Sequence, residues 1–423
     1  MRKALALLFI LAVSMTFAQH PLDVLVRSRG EPRYELILER VSQEGDKIFV
    51  MKVFGLDWLG LEWFHRVGVI LPNNLRSHEK AFLLIAGGSR RVEDQSYYES
   101  FLGEMMQYLE IARKFEAPFV VVADVPNQPI WGLREDALIS ETFKLFLEKR
   151  EKDLPLLVPM TYGVIKAMDA VQDFLARKGV NVKYFMASGA SKRGWTAYLT
   201  AAFDSRVFAI APMVFDNLNI KAQLEQQRRY YNGFSEKLKD YSERGLLEHP
   251  SDEASTELLE MVDPYALRLR LSLPKILVLA TNDEYWTVDS ANLYLDQLPG
   301  ETYLFYSPND RHELKNVAEI VQTVSSFFKF YPNFPKPSFE YSGYEIRVRK
   351  EEGMVGAEVW FARSRSLDFR SSVWLKLGVH EEDGVYVGRP PSKPEGTHQA
   401  FFMRVLYELN GERFYLCSRM VVD

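Results

Sequence analysis

Ser191 has neighbours of the kind that a nucleophilic serine requires. Gly189, Ser191 and Gly194 follow the pattern G-x-S-x-x-G, after an apolar run that ends at Ala187 and before a helical stretch that starts at Lys192. A sharp turn from strand to helix raises a serine hydroxyl above the edge of a sheet, and glycines let neighbouring backbone approach. The helix N-terminus favours negative charge there. The spacing predicts a nucleophile for acyl transfer, and an ordinary turn with a capping serine is the alternative.

A histidine and a carboxylate suited to activating this serine follow it in the chain. Asp283 comes after the apolar run KILVLA and His312 comes after TYLFY, which gives the order serine, acid, histidine. We expect Ser191 to attack a carbonyl, His312 to transfer the proton and Asp283 to orient the imidazole. Asp216, which follows another apolar run, and Glu284 are alternative acids.

An oxyanion formed at Ser191 needs N–H donors close by. We predict these donors in the amide of Lys192 and in the amides of Gly87 and Gly88, which follow the apolar run AFLLI. For the two glycines, a simple turn is the alternative. The cations of Lys192 and Arg193 suit an oxyanion or a substrate carboxylate, whereas a salt-bridged pair would be structural.

Aromatic or charged residues near the predicted site are candidates for substrate binding. They are Arg193, Trp131, Asp216, Tyr230 and Tyr231. For the aromatic residues, packing against the core is the alternative.

The sequence carries no signature of a metal or cofactor site. His312-Glu313 lacks a second histidine at H-E-x-x-H spacing, and the other histidines are scattered. There is no phosphate loop, and Gly87-Gly88 does not make a dinucleotide fingerprint. We therefore expect a reaction that uses neither a metal nor a cofactor.

Continuous apolar runs that alternate with amphipathic stretches must position these residues. The runs lie at residues 81–85, 119–122, 182–187, 207–214, 275–280 and 302–306. They predict a mostly parallel sheet with helices on both faces, and active groups gather at the carboxyl ends of such strands. Residues 34–71 add antiparallel strands. Residues 216–273 interrupt the alternation and predict a helical cap, with a surface excursion as the alternative.

The pattern changes after Pro332–Pro337, which has the composition of a linker. Six short stretches then alternate with a period of two, and turns such as Asp383-Gly384 separate them. This pattern predicts a C-terminal all-β sandwich of immunoglobulin-like type. We expect one domain over residues 19–334, with the cap at about 216–273, and the sandwich over 338–423.

Residues 1–18 have the pattern of a signal peptide. A basic start precedes an apolar core that is too short to span a membrane, and small residues end at Ala18. We expect cleavage after Ala18, export to the periplasm or the exterior and no membrane span thereafter; an uncleaved anchor is the alternative. Cys417 is the lone cysteine, so no intrachain disulfide is possible. The formal net charge of -5 and the lack of a basic tract argue against nucleic-acid binding.

Several long segments resemble the PhoPQ-activated pathogenicity-related proteins, a family that includes the autocrine proliferation repressor proteins of amoebae. They include SGASKRGWT (188–196), AFLLIAGGS (81–89) and LPGETYLFYSPNDRH (298–312). The resemblance implies an α/β-hydrolase fold with a trailing β-sandwich, and it places family positions on Ser191, Asp283 and His312. The sequence departs from the family at Asn282, where glycine is frequent, and at Tyr285-Trp286, where two phenylalanines are frequent.

The combined prediction is an exported α/β-hydrolase with a helical cap and a C-terminal β-sandwich. Its expected function is that of a serine hydrolase, more specifically a carboxylesterase that acts on a small or carbohydrate-linked ester. A secreted binding or signalling protein that retains the fold without turnover is one alternative, and a serine peptidase is another. The sequence predicts neither the oligomeric state nor the role of the sandwich.

Overall fold

A nine-stranded sheet forms the centre of the computed structural model. The structure describes residues 20–423, and the predicted signal peptide lies outside the described residues. The strands of the sheet are β1 Tyr34–Val41, β2 Lys47–Trp58, β3 Leu61–Leu71, β4 Lys80–Ile85, β5 Phe119–Val122, β6 Tyr184–Ala190, β7 Val207–Met213, β8 Lys275–Ala280 and β9 Thr302–Ser307. The order across the sheet is β1-β2-β3-β5-β4-β6-β7-β8-β9. Strands β4 to β9 pair with one another in parallel. Strands β1, β2 and β3 pair in antiparallel fashion, and β3 joins them to β5.

Helices cover both faces of this sheet. They are α1 Pro21–Arg27, α2 Gln95–Gln107, α3 Leu109–Phe115, α4 Glu135–Lys149, α5 Leu157–Arg177, α6 Lys192–Phe203, α7 Ile220–Tyr231, α8 Lys239–Ser242, α9 Glu253–Val262 and α10 Val317–Phe330. Helices α4, α5 and α6 share one apolar core, and α2, α3 and α10 share the other. Because both faces are covered, a central strand such as β5 is buried along its whole length. Within residues 20–423, none of these helices is long and apolar enough to cross a membrane.

The parallel register brings the ends of five strands to one edge of the sheet. Ile85 of β4 pairs with Gly189 of β6, Ala190 pairs with Met213 of β7, and Ala280 of β8 pairs with Ser307 of β9. The loops that follow these strands therefore converge on the same edge. This edge is where ligands bind in open α/β sheets.

The segment between β7 and β8 is helical, which confirms the predicted cap. It contains α7, α8 and α9 together with two short 3₁₀ helices, Glu236–Leu238 and Arg268–Arg270. Over residues 235–245, only Glu236–Leu238 and Lys239–Ser242 are helical. Two further 3₁₀ helices, Ser290–Leu293 and Leu295–Gln297, follow β8.

Two antiparallel sheets follow α10. Their strands are β10 Phe339–Ser342, β11 Glu345–Arg349, β12 Met354–Ser364, β13 Leu375–Gly378, β14 His380–Glu382, β15 Val385–Gly388, β16 His398–Leu409, β17 Glu412–Cys417 and β18 Val421–Val422. One sheet has the order β10-β11-β15-β14, and the other has β13-β12-β16-β17 with β18 paired to β16. The sheets face each other, because a Cβ added to Gly388 would meet Met403 of the opposite sheet at 2.7 Å. The immunoglobulin-like type and the domain boundaries stay predictions.

Candidate active site

Ser191 occupies a strained turn between β6 and α6. Its backbone has φ 56° and ψ −126°, a conformation that residues with a side chain rarely adopt. The amide of Ser191 donates to the Met213 carbonyl (2.8 Å), and the Trp195 amide donates to the Ser191 carbonyl (3.0 Å), so the turn is anchored at both ends. Strain of this kind costs on the order of 1–3 kcal/mol and persists where the surroundings enforce it. The turn holds the serine side chain half-exposed at the sheet edge.

The unusual glycine spacing around Ser191 has a packing reason. A Cβ at Gly189 would lie 2.7 Å from the backbone of Arg193, so the first turn of α6 passes directly over this glycine. A Cβ at Gly194 would lie 3.0 Å from the Gly189 carbonyl oxygen and 3.1 Å from Phe215 Cβ. The second glycine is therefore required where α6 crosses the ends of β6 and β7, one residue later than in a G-x-S-x-G turn.

Asp283 and His312 form a hydrogen-bonded pair at the ends of β8 and β9. Nδ1 of His312 lies 2.8 Å and 3.0 Å from the two carboxylate oxygens of Asp283, and the Tyr285 amide donates to the same carboxylate at 2.8 Å. Burial raises the pKa of Asp283, while the bond from His312 opposes that rise. With Nδ1–H donating to Asp283, Nε2 is the imidazole atom available to accept a proton. Glu284 instead accepts the His312 backbone N–H at 3.1 Å and holds the loop.

Ser191 and His312 line two different cavities. The Tyr285 ring packs on the His312 ring with centroids 4.2 Å apart, and Tyr285 lines the same cavity as Ser191. A second cavity of about 230 Å³ is bounded by both His312 and Ala190. The His312 Nε2 atom is buried and has no hydrogen-bond partner among residues 20–423, the Ser191 hydroxyl included. Long or open serine–histidine contacts are common in the absence of substrate.

Lys192 and Arg193 are neutralised by carboxylates at the start of α4. Arg193 donates to both oxygens of Glu135 (2.7 Å each) and to the Val125 carbonyl (2.6 Å). Lys192 Nζ lies 3.0 Å from Glu135 and 3.4 Å from Asp136. Burial would raise the pKa of Glu135, but the bonds and charges of Arg193 and Lys192 lower it to about 2. Arg193, expected to bind substrate, thus holds together the loops that surround Ser191.

The predicted oxyanion donors occupy different places. The amide of Lys192 is the first of α6, so it has no acceptor within the helix. Gly87 and Gly88 line another cavity, of about 580 Å³, and a Cβ at Gly87 would approach Arg193 Nη2 to 2.6 Å. Among the described residues, neither glycine amide donates to a backbone carbonyl. Of the predicted donors, the Lys192 amide is the one that directly follows Ser191 in the chain.

Asp216 lies inside the protein and does not contact His312. Tyr294 Oη donates to its carboxylate at 2.6 Å, and burial raises the pKa of Asp216 to about 8. This residue was expected as a substrate contact and as an alternative acid. Because it is buried against Tyr294, the geometry supports neither role.

The predicted aromatic contacts also point elsewhere. Tyr230 Oη donates to Asp289 and Tyr231 Oη donates to the Trp286 carbonyl, both at 2.8 Å, so these side chains fasten the cap to the loop after β8. Trp131 is half-exposed and packs 6.1 Å from Trp58. None of the three is among the described residues that line the cavity at Ser191.

The cavity at Ser191, here called the cap cavity, has a volume of about 90 Å³. Its polar lining includes Asp136, Tyr241 and Tyr285, which the sequence analysis missed. Tyr241 Oη and Tyr285 Oη both donate to Asp136, at 3.2 Å and 3.4 Å. The position of Tyr285 two residues after Asp283 was a usable signal, whereas nothing local marked Asp136.

A segment of the C-terminal sheets reaches the loops that carry the acid and the histidine. Residues 368–374, here called the bridging segment, join β12 to β13. Asn282 Nδ2 lies 2.7 Å, 3.2 Å and 3.4 Å from the carbonyls of Ser372, Arg370 and Phe369. Asn309 exchanges two hydrogen bonds with the Trp374 backbone, at 2.8 Å and 3.0 Å. Each asparagine thus ties a loop of the candidate site to the bridging segment.

The bridging segment also contacts the cap. The Arg370 guanidinium lies 4.0 Å from the centroid of the Tyr231 ring and donates to Glu236 at 2.9 Å.

Among residues 20–423, no group of three or more histidine, cysteine or acidic side chains is arranged to hold a metal ion.

The strand order and the turn at Ser191 define an α/β-hydrolase fold. The chain belongs to the PhoPQ-activated pathogenicity-related protein family, whose sequence profile matches residues 23–370. It is similar to autocrine proliferation repressor protein A of Dictyostelium discoideum, with 28% identity over 451 residues that cover 96% of this chain and 90% of the relative.

A solved structure of an esterase shares the fold. An acetyl xylan esterase from Paenibacillus sp. R4 superposes with a TM-score of 0.51 at 14% identity, covering 73% of this chain and 92% of the esterase. Acetyl xylan esterase 1 from Thermoanaerobacterium sp. JW/SL YS485 gives a TM-score of 0.46 at 16% identity, with 72% and 90% covered.

Proposed function

We propose that this protein is a serine hydrolase, and more specifically a carboxylesterase for a small or carbohydrate-linked ester. One observation carries the proposal: a strained serine at a strand-to-helix turn shares its sheet edge with a buried acid that is hydrogen-bonded to a histidine. Strained backbone and a paired buried carboxylate both cost stability, and both are typical of catalytic sites. The acetyl xylan esterase that shares the fold is named for a carbohydrate ester, which agrees with the proposed substrate class.

The proposed reaction proceeds through an acyl-enzyme. As the Ser191 oxygen bonds to the ester carbonyl carbon, its proton passes to Nε2 of His312 and the carbonyl electrons move onto oxygen. The amide of Lys192 and the dipole of α6 stabilise that oxyanion. Its collapse breaks the bond to the alkoxy group, which leaves as alcohol with the proton from Nε2. Water then adds to the acyl group and gives a proton to Nε2, and Ser191 departs with that proton as the acid is released.

Asp283 keeps Nδ1 of His312 protonated and stabilises the imidazolium that forms in each step. The ion pairs of Lys192 and Arg193 hold the loops after β5 and before α4 against the first turn of α6. A cation neutralised in this way has little charge left to recognise a substrate carboxylate. The proposal therefore favours an uncharged acyl group.

Labelling with a fluorophosphonate probe tests the proposal. We expect a stoichiometric adduct on Ser191 and turnover of p-nitrophenyl acetate, and both are expected to disappear in Ser191→Ala. The matched control is Ser28→Ala, which removes an exposed serine hydroxyl far along the chain from the site. Folded wild-type protein that forms no adduct would rule out the enzyme.

Two rivals give different results in the same assays. A binding or signalling protein, suggested by the name of the Dictyostelium relative, would neither react with the probe nor hydrolyse esters. A serine peptidase would react with the probe but would cleave p-nitroanilide amides at rates comparable to those for the matching esters.

A further inference from the structure

The cap cavity lies directly against the proposed nucleophile. Ser191 and Lys192 line one end, and the polar side chains Asp136, Tyr241 and Tyr285 gather there, as their mutual hydrogen bonds require. The remaining lining is mostly apolar and includes Phe143 of α4, Trp195 of α6 and Leu258 of the cap, with Asn217 and Ser255 as its other polar residues. A cavity that is polar at the reacting serine and apolar beyond it suits the acyl group of an ester.

The cavity walls are well anchored. Trp195 stacks on Phe215 with centroids 5.1 Å apart and meets Phe143 edge-on at 5.9 Å. The cap side is held by Tyr231, which donates to the Trp286 carbonyl, and by Arg370 of the bridging segment. Packed aromatic walls of this kind resist expansion, because overfilling a close-packed region forces side chains out of their preferred rotamers.

The size of the cavity limits what it can hold. Its volume is about 90 Å³, whereas a dry cavity of roughly 150 Å³ holds a benzene molecule. Scaling by volume gives room for about four carbon atoms. Acyl groups from acetyl to butanoyl fit this limit, and hexanoyl and octanoyl exceed it.

The chemistry decides which half of the ester occupies the cavity. After the first step of the proposed reaction, the acyl group stays bonded to Ser191 while the alcohol must leave. A small cavity beneath the cap suits the group that stays, and a leaving alcohol requires a path to solvent. We propose that the cap cavity is an acyl subsite that restricts this enzyme to short, uncharged acyl groups of up to about four carbons. This inference rests on the proposed hydrolase function.

A series of p-nitrophenyl esters tests the acyl limit, because the leaving group is constant. We expect kcat/KM to rise from acetate to butanoate, since each methylene group that fits an apolar pocket changes kcat/KM by about 10-fold or more. At hexanoate, which overfills the cavity, we expect kcat/KM to fall roughly 10-fold or more, and at octanoate to fall further. Lengthening the alcohol of acetate esters instead is expected to change kcat/KM only slightly. A limit that follows the alcohol rather than the acyl chain would overturn the assignment.

Two variants on α9 change the volume in opposite directions. Leu259→Ala enlarges the cavity at a half-buried position, and we expect the octanoate-to-butanoate ratio of kcat/KM to rise roughly 10-fold. Ser255→Leu fills the same region and is expected to suppress butanoate relative to acetate. The matched control is Leu269→Ala, which removes an 85% exposed leucine outside the cavity and is expected to leave both ratios unchanged. Unchanged ratios in both α9 variants would refute the subsite.

A binding experiment separates failure of the subsite from failure of the proposed function. Trp195 and Trp286 line the cavity, so tryptophan fluorescence of Ser191→Ala can be titrated with butanamide and octanamide. We expect butanamide to bind at least about 10-fold more tightly, since the longer chain overfills the cavity. Equal affinity would overturn the size limit whatever the turnover. Discrimination between the amides without any ester turnover would retain the short-chain site but reject the hydrolase.

Discussion

Replacing Asn282 tests whether the bridging segment supports the candidate site. The side chain is 6% exposed and stands immediately before Asp283. Its amide group has two N–H bonds to donate, and the carbonyls of Ser372 and Arg370 lie 2.7 Å and 3.2 Å away. In Asn282→Ala these carbonyls lose their donor.

The expected cost follows from the number of hydrogen bonds lost. The Asn282 side-chain oxygen also accepts the Thr281 hydroxyl at 2.9 Å. At about 1 kcal/mol net for each of the three bonds, Asn282→Ala lowers the free energy of unfolding by about 3 kcal/mol. The loop with Asp283 also loses its attachment, so the acid–histidine pair is less well placed. We expect kcat to fall roughly 10-fold or more, since displacements on the order of 1 Å cost up to about 100-fold, while KM changes little because no lining residue of the cap cavity is altered.

Urea unfolding followed by tryptophan fluorescence and steady-state hydrolysis of p-nitrophenyl acetate measure the two effects. Asn292→Ala is the matched control: its amide donates to the Met420 carbonyl at 2.8 Å, so it also links the large sheet to the C-terminal strands, but it does not adjoin the acid or the histidine. We expect this control to lose about 1 kcal/mol and to keep its kcat. If Asn282→Ala loses stability but keeps the wild-type kcat, the reasoning about loop position is refuted.

Three further substitutions have defined outcomes. Ser191→Gly relieves the positive-φ strain, so we expect urea unfolding to show a gain of about 1 kcal/mol while ester turnover falls to background. Arg193→Met removes the two bonds to Glu135 and the bond to the Val125 carbonyl. At about 1 kcal/mol for each bond, we expect thermal or urea unfolding to show a loss of about 3 kcal/mol, with partial recovery when Glu135→Gln is added. Burial raises the pKa of Asp216 to about 8. The protonated folded form is therefore favoured at low pH, and its contribution to the free energy of unfolding is lost as the pH rises from the ordinary pKa of the carboxyl group to about 8. We expect Asp216→Asn to flatten this decline in stability to urea between pH 4 and pH 8.

Each of these has a clear contrary result. Lower stability in Ser191→Gly would mean that the turn is not strained. Equal stability of Arg193→Met and the wild type would mean that the ion pair is only a surface contact. An unchanged slope of stability against pH in Asp216→Asn would assign that slope to other carboxyl groups.

The sequence predicted the large sheet well because its strands are continuous apolar runs. A strand such as FVVV is buried on both faces, so its sequence shows burial directly. The same alternation exposed the cap as an interruption and located Asp283 and His312 after their strands. The strands, the cap and the positions of Asp283 and His312 all follow from local sequence pattern and chain order. Predicting them did not require contacts between distant parts of the fold.

Contacts between distant parts of the chain were beyond the sequence. The cations of Lys192 and Arg193 were visible, but their partner Glu135 lies far earlier in the chain and shows no local mark. Tyr230 and Tyr231 looked like pocket residues because they are aromatic, although a hydroxyl also lets them fasten one buried loop to another. Nothing in the bridging segment itself predicts that its backbone carbonyls meet Asn282.

The position of the bridging segment in the chain affects when the candidate site can form during folding. The proposed nucleophile lies near the middle of the chain, yet the loops of its proposed partners are fastened by residues 368–374, which join two strands near the C-terminus. An emerging chain therefore contains the serine long before it contains the attachments that hold the acid and the histidine. We infer that activity appears late, as the last sheets fold. During refolding from urea, turnover should return together with burial of Trp374, and earlier recovery of turnover would contradict this order.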